Sequence, residues 1–370
     1  MDLYRIGKIE AISLITIIML NHLILNLPKV FFATAGSAAV LNVIYVFVLA
    51  LIFLFTVLKL FKNFPGMDIL DISKFLGGEK LKLIMGILFL AYIIIIPSFL
   101  LRNFCEGLSI IYFSNIPITF LILVFLIVAI IANRFGHQTI IKINTLVVIL
   151  MLLNLILTFI TVAKNFDFEN MFPLLGKGIN ETFLSGATNI YAFSGLFIIY
   201  FLIPMLKSDK DFNKISIIGI VISGVFLVLC VLSLLLSFSS VIEQYELPSI
   251  YLIVRSAELG KFIQRPEALF IVTWILAMMS YISICIMISC YLFKKIGKTK
   301  NEKPMVYCFA SLVFIFSLFP KNMAQVRFQE DVIYKYCSIA LLFVLSFIIL
   351  ILANLKYKKN NKRLEVNKIE

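Results

Sequence analysis

Charge is scarce in this chain. Only 14% of its 370 residues are Asp, Glu, Lys or Arg, there are two histidines and one tryptophan, and 62% of the residues are hydrophobic. Soluble domains are roughly 45–50% apolar, and with a mean hydropathy of +1.05 no aqueous fold could hide this much apolar surface. The six cysteines, at 105, 230, 285, 290, 308 and 337, lie in apolar runs without the paired spacing of a disulfide framework or a zinc knuckle. They read as small core residues. The chain has no phosphate loop, nucleophile elbow or metal-ligand spacing, so the sequence predicts neither an enzyme nor a cofactor. A net charge of +13 would suit nucleic acid only if the bases clustered on one groove or stripe. They are dispersed between apolar runs, which argues against a nucleic-acid partner.

What the chain does have is apolar stretches of membrane length. A spanning helix needs about 20 mainly apolar residues, and the runs and their breakers predict spans near 10–32, 38–60, 83–112, 117–132, 142–163, 183–206, 215–239, 267–293, 304–319 and 333–355. The polar start, Met1 to Glu10, leads into an apolar stretch longer than a signal-peptide core, so the first helix is expected to remain. The prediction is an all-α integral membrane protein of about ten helices, a single domain over 1–370 with a basic tail at 356–370.

Basic residues orient the bundle. Of the 33 lysines and arginines, 23 fall in the N-terminal segment, the connections after even-numbered spans and the tail; nine fall on the other side and one, Arg102, within a span. By the positive-inside rule both termini are cytoplasmic. The connections 164–182 and 240–266 then face outward and are expected to hold short surface helices. On the inner side, Phe61 to Lys82 mixes Pro65-Gly66, Asp68, Asp71 and Gly77-Gly78 with Leu and Ile at near-helical spacing, a pattern for an interfacial helix. Five spans precede residue 183, so the halves 1–163 and 183–355 can repeat each other upside down, as in many secondary transporters.

Two spans are interrupted. Helix 1 carries Asn21-His22 and then Asn26-Leu27-Pro28; helix 6 carries Thr188-Asn189, Ser194-Gly195 and Pro204. Breaks at matching positions expose backbone amides and helix-end dipoles at the midplane. Asn21, His22, Ser194 and Gly195 are therefore candidate ligand contacts, with Tyr92, Phe99 and Tyr281 as candidate walls. On this reading a bulky residue at Gly195 fills the pocket. The alternative is that the polar groups are interhelical hydrogen-bond glue and Gly195 a close-packing site. Arg102 and Glu106, four residues apart in helix 3, can pair along one face, either as a structural ion pair or as a gate. Thr273, Ser280, Tyr281 and Ser283 in helix 8 either offer hydroxyls to a pocket or pack.

The order of local patterns resembles the B subunits of endospore germinant receptors, a branch of the amino acid-polyamine-organocation transporter superfamily. The resemblance covers nearly the whole chain. It rests on Leu27-Pro28, Arg102-Asn103-Phe104-Cys105-Glu106, Asn115-Ile116-Pro117, Asn170-Met171-Phe172-Pro173-Leu174-Leu175-Gly176, Pro204, Gln264-Arg265-Pro266-Glu267 and Trp274. The helix-1 break departs from the family, with Asn21-His22-Leu23 where glycines are common. The resemblance implies a LeuT-like fold with helices 1 and 6 broken, in a spore inner membrane. It further implies a subunit that senses a nutrient such as an amino acid beside an A subunit and a C-subunit lipoprotein; the rival reading is a proton- or sodium-coupled amino-acid permease.

The basic-residue partition generates a topology test. In cysteine-accessibility labelling, a probe at Lys298 should react from the cytoplasmic side and one at Lys261 from the other; the same side for both would rule out ten spans.

Overall fold

The computed structural model describes residues 5–21, 27–239, 249–255, 266–297 and 303–366. Eight of the described helical segments are long and apolar enough to cross a bilayer, and a shorter apolar helix covers Pro304–Ser317. One of the eight, Leu27–Phe61, folds back on itself: Gly36, at φ +62°, sits in a turn (Gly36–Ala38) between α2 (Leu27–Ala35) and α3 (Ala39–Phe61). Before it lies α1 (Lys8–Leu20), so α1 and α2 cover the two ends of the predicted first span, and the predicted break at His22 to Asn26 lies outside the described residues.

Then follow α4 (Ile69–Ile111), α5 (Ile118–Phe135), α6 (His137–Val162), α7 (Asn180–Met205), α8 (Phe212–Phe238), the short α9 (Ser249–Arg255), α10 (Pro266–Gly297) and α11 (Lys303–Ser317). The last helical run, α12, covers 323–366 and contains two wide π-helical turns at Gln329–Tyr334 and Ile339–Leu345. The first predicted span corresponds to α1 and α2 together, and each of the other nine overlaps one of these elements, α11 being the shortest of those nine. Of the expected short surface helices, the turn at Phe168–Met171 is largely exposed, whereas α9 is packed into the bundle with Ile250 to Val254 buried; 240–248 and 256–265 lie outside the described residues. Both chain ends gather at one end of the bundle. Lys8 pairs with Asp211 at 2.9 Å, and the rings of Phe212 and Phe61, and of Phe64 and Tyr357, meet edge to face.

The expected interfacial helix is the first part of α4. Asp68 caps it, its Oδ1 accepting from the backbone N–H of Leu70 and of Asp71, both at 3.0 Å. Gly77 and Gly78 then break the helical path, Gly78 at φ +73°, which only glycine adopts freely. α4 is thus an arm (69–76) hinged to a shaft (79–111).

Asparagine ties the apolar helices together. The Nδ2 of Asn154 donates to Thr273 Oγ1 at 3.1 Å, Ser280 donates to Asn144 Oδ1 at 3.0 Å, and Asn133 Nδ2 donates to the Ser283 carbonyl at 3.0 Å. α10 is therefore bound on one side to α5 and α6. Of its four candidate hydroxyls, those of Thr273 and Ser280 are interhelical glue, the bland reading of helix 8, while the Ser283 hydroxyl donates within α10 to the Met279 carbonyl at 2.7 Å. Close approach elsewhere needs glycine: a Cβ on Gly224 of α8 would lie 2.2 Å from the Phe47 ring, and one on Gly219 2.8 Å from Ile15.

Candidate functional site

Ser185, Gly186, Thr188 and Asn189 and, further on, Ser194-Gly195 are small or polar residues of poor helix propensity, and α7 answers with distortion. It starts as a π turn (Asn180–Leu184) and continues as an overwound 3-10 stretch (Ser185–Ile198). Phe193 leaves helical geometry altogether at φ −96°, ψ 20°. So long a 3-10 stretch is unusual and marks a helix held in place by its neighbours. The Nδ2 of Asn189 donates to Asn42 Oδ1 at 2.9 Å, and Asn42 Nδ2 donates to the Thr182 carbonyl at 2.6 Å.

Immediately after the distortion, Ser194 and Gly195 meet Tyr92, Ile93, Ile96 and Pro97 of α4, Phe197 of α7 and Tyr281 of α10 around a small cavity. Its volume, about 10 Å³ of space for the centre of a water molecule, accommodates on the order of one water. Hydroxyl groups gather around it. Tyr92 and Ser338 share a hydrogen bond of 2.9 Å, and Ser194 is hydrogen-bonded to the Tyr334 hydroxyl. Tyr281 is 1% exposed. None of the described lining residues is charged. Pro97 has no N–H to offer the carbonyl of Ile93 one turn back, and both residues line the cavity.

Four of the seven candidate ligand contacts, Tyr92, Ser194, Gly195 and Tyr281, therefore share one cavity. Phe99 is buried but is not among the lining residues. Asn21 is wholly buried at the end of α1, where its Nδ2 donates to the carbonyls of Ile17 (2.8 Å) and Ala277 (3.4 Å). Its Oδ1 has no partner among the described residues. His22 lies outside the described residues. Gly195 serves two purposes: beyond lining the cavity, it is where α7 rests on α1. A Cβ there would lie 2.8 Å from Met19 Cγ and 3.1 Å from its Cα and N. A bulky residue at 195 would press on α1 rather than simply fill the pocket. Tyr334 and Ser338 were not anticipated. The signal that could have found them is the polar Tyr-x-x-x-Ser pair, one turn apart, ahead of the apolar run of the last span. Pro97-Ser98 in the middle of span 3 pointed to the cavity as well.

Hydrogen bonds also tie the helices at both ends of the bundle. At the end holding the chain termini, Ile6 N–H donates to the Met205 carbonyl at 2.8 Å and the Lys207 N–H to the Ile6 carbonyl at 3.2 Å. At the opposite end, residues 173–177 strap the close of α2. Ser37 donates to the Pro173 carbonyl at 2.5 Å and Lys177 Nζ to the Ala33 carbonyl at 2.7 Å. Gly176, at φ +51°, lies so close that a Cβ would fall 1.9 Å from the Ala35 carbonyl oxygen.

Arg102 and Glu106 are paired on the α4 shaft. Arg102 Nε and Nη2 donate to Glu106 Oε1 at 2.9 and 2.7 Å, and Nη1 reaches the Ser317 carbonyl at the end of α11 at 3.4 Å. The guanidinium thus joins α4 to the C-terminus of α11, a favourable place for a cation.

With this geometry in view, the comparisons place the chain. A family model described as spore germination protein matches residues 5–326, and the chain belongs to that family. Spore germination protein A2 of Bacillus subtilis (strain 168) is 24% identical over 364 residues, covering 97% of this chain and 98% of its own. Spore germination protein KB of the same organism is 24% identical over 379 residues, covering both chains completely. In fold the chain is similar to a Na+-coupled sialic acid symporter (TM-score 0.67, 12% identity, 92% of this chain and 80% of that one). It is also similar to Mhp1, a nucleobase-cation-symport-1 family transporter (TM-score 0.64, 12% identity, 94% and 78%). The fold is the all-helical LeuT-like transporter fold.

The Arg102 geometry makes a double-mutant test specific. Arg102→Ala should lower the thermal stability of the detergent-solubilised protein more than Arg102→Ala with Glu106→Ala, because the single change leaves a mostly buried carboxylate unpaired. The coupling energy should be on the order of 1–3 kcal/mol. A double variant no more stable than the worse single would mean the pair is not coupled.

Proposed function

We propose that this chain is the nutrient-sensing membrane subunit of a spore germination receptor, and that the cavity between α4, α7 and α10 is the closed form of its ligand site. The observation that carries the reading is the cavity itself: a cluster of hydroxyls beside the distorted stretch of α7, uncharged among its described lining residues, in a chain of the spore germination protein family.

The chemistry suits a small free amino acid. Its carboxylate and ammonium cannot remain unsolvated in a span, and Tyr92, Ser194 and Tyr281 can donate to the carboxylate. The ammonium needs carbonyl acceptors, which the end of α1 and the Ile93 carbonyl, deprived of its usual helical donor by Pro97, can supply. The apolar walls, Ile93, Ile96 and Phe197, favour an uncharged side chain. An amino acid is several times larger than the closed cavity, so binding requires the helices to part. In this reading both termini are cytoplasmic, the two halves are inverted repeats, and the partners are an A subunit and a C-subunit lipoprotein in the spore inner membrane.

A coupled permease is the other reading, favoured by the likeness in fold to the two cation-coupled transporters. The two differ in whether labelled amino acid accumulates against a gradient in vesicles carrying this chain alone; accumulation would favour the permease.

The test is nutrient germination of spores carrying variants, with a panel of the twenty amino acids and immunoblots for protein level. Ser194→Met, which fills the cavity without facing Met19, should abolish the response at normal protein levels. Tyr92→Phe, which deletes one hydroxyl, should raise the half-maximal nutrient concentration about tenfold, the value of a hydrogen bond to a charged group. Unchanged sensitivity in well-expressed Ser194→Met spores would place the ligand elsewhere.

A further inference from the structure

The arm at 69–76 is held at both of its ends, by two different helices. At its start, Asp68 is completely buried and its Oδ2 accepts from the Tyr291 hydroxyl at 2.8 Å and from Lys295 Nζ at 2.5 Å, both on α10. Lys295 also reaches Asp71 Oδ2 at 2.5 Å. At the arm's finish, Lys356 of α12 donates to the last carbonyls, Phe75 at 2.8 Å and Leu76 at 3.0 Å, and lies 5.1 Å above the Phe75 ring. Around it, Asn354 accepts from Asn63 Nδ2 at 2.7 Å and donates to the Leu60 carbonyl at 3.0 Å. The third attachment is the hinge to the shaft of α4. No neighbouring atom lies within 4 Å of where a Cβ on Gly78 would sit, so no side chain packs against the hinge at that point.

These three attachments lead to the helices that surround the cavity. Lys295 and Tyr281 are on one helix, fourteen residues apart, roughly 21 Å along it. Gly78 and Tyr92 stand the same distance apart on α4, and Lys356 and Ser338 both belong to α12. The attachments are also poised rather than saturated. Two carboxylates share one ammonium, and burial pushes the Asp68 carboxyl up from the ordinary carboxylate value against the pull of Lys295. Such a cluster is strong while its geometry holds and costly once a partner is withdrawn.

We propose that the arm is a latch that reports the state of the cavity at the end of the bundle holding both chain termini. When α4, α10 and α12 part to admit a ligand, Lys295 and Lys356 can no longer hold both ends of the arm, and it is released on the Gly77-Gly78 hinge. A two-state element biased from a remote site is what coupling through a packed bundle requires. The inference rests on the reading of the cavity as a ligand site.

Its test needs no nutrient, so its failure is separable from a wrong choice of ligand. Hydrogen exchange is followed by mass spectrometry on the full-length protein in nanodiscs, comparing wild type, Lys295→Met, the cavity-filling Ser194→Met, and the two combined. Ile96→Phe serves as a second filler if Ser194→Met does not yield monodisperse protein. Lys295→Met should speed exchange of the 69–76 amides about tenfold. Either filler should do so to a similar extent from the far end of the helices, and the combination should add little. Exchange in 216–235 of α8 should stay unchanged. Fillers that leave 69–76 within about twofold of wild type would make the arm a simple anchor and overturn the proposal. So would a Lys295→Met variant without effect, or a rise shared by α8, which would mean general loosening.

Discussion

The rest of the structure depends on one constraint: inside a bilayer every backbone polar group must find its partner within the protein. A chain that breaks two spans near their middle must therefore surround the breaks with other helices. The end of α1 at Asn21 and the departure of Phe193 from helical geometry both lie in the interior of the bundle, and Asn21, Asn189, Ser194 and Phe193 are nearly or wholly inaccessible. The long lipid-facing stretches of α5 and α6 supply the outer layer, with Phe120, Ile127, Ile143 and Leu153 exposed. In a membrane such side chains are ordinary surface.

The same constraint explains the placement of polar side chains. An asparagine in an apolar span is stable only opposite a partner, and Asn133, Asn144 and Asn154 each meet α10. The π turns in α12 shift carbonyls out of register, and side chains meet two of them: Ser346 donates to the Leu341 carbonyl at 2.8 Å and Tyr200 to the Leu342 carbonyl at 2.7 Å. The hydroxyls around the cavity follow the same logic, pairing with one another: Tyr92 with Ser338 and Ser194 with Tyr334.

Much of the fold was legible in the sequence because membrane helices advertise their length and their ends. The ten spans, the two interruptions and the arm between Pro65 and Gly77 all follow from apolar runs, breakers and a capping aspartate. Within the site, the Ser194-Gly195 pair stood out because small polar residues are rare in the middle of a span. Its neighbours were less legible: Tyr92 and Tyr281 were legible as polar residues in apolar helices, whereas Tyr334 and Ser338 belong to a span whose rotation is set by packing. Which asparagine faces which helix is likewise a property of the bundle. Gly195 shows the limit most clearly. A glycine in a break and a glycine at a helix crossing leave the same mark in a sequence, and here one residue is both.

The account stands on the cavity being a place where a free amino acid binds. The most direct measurement is the unfolding temperature of the purified protein in detergent with each of the twenty amino acids in turn, since a ligand that binds only the folded state must raise it. One or a few amino acids with small uncharged side chains should stabilise wild type at millimolar concentration, and Ser194→Met should lose that stabilisation while still showing a cooperative unfolding transition of its own. Stabilisation that persists undiminished in Ser194→Met would contradict the account.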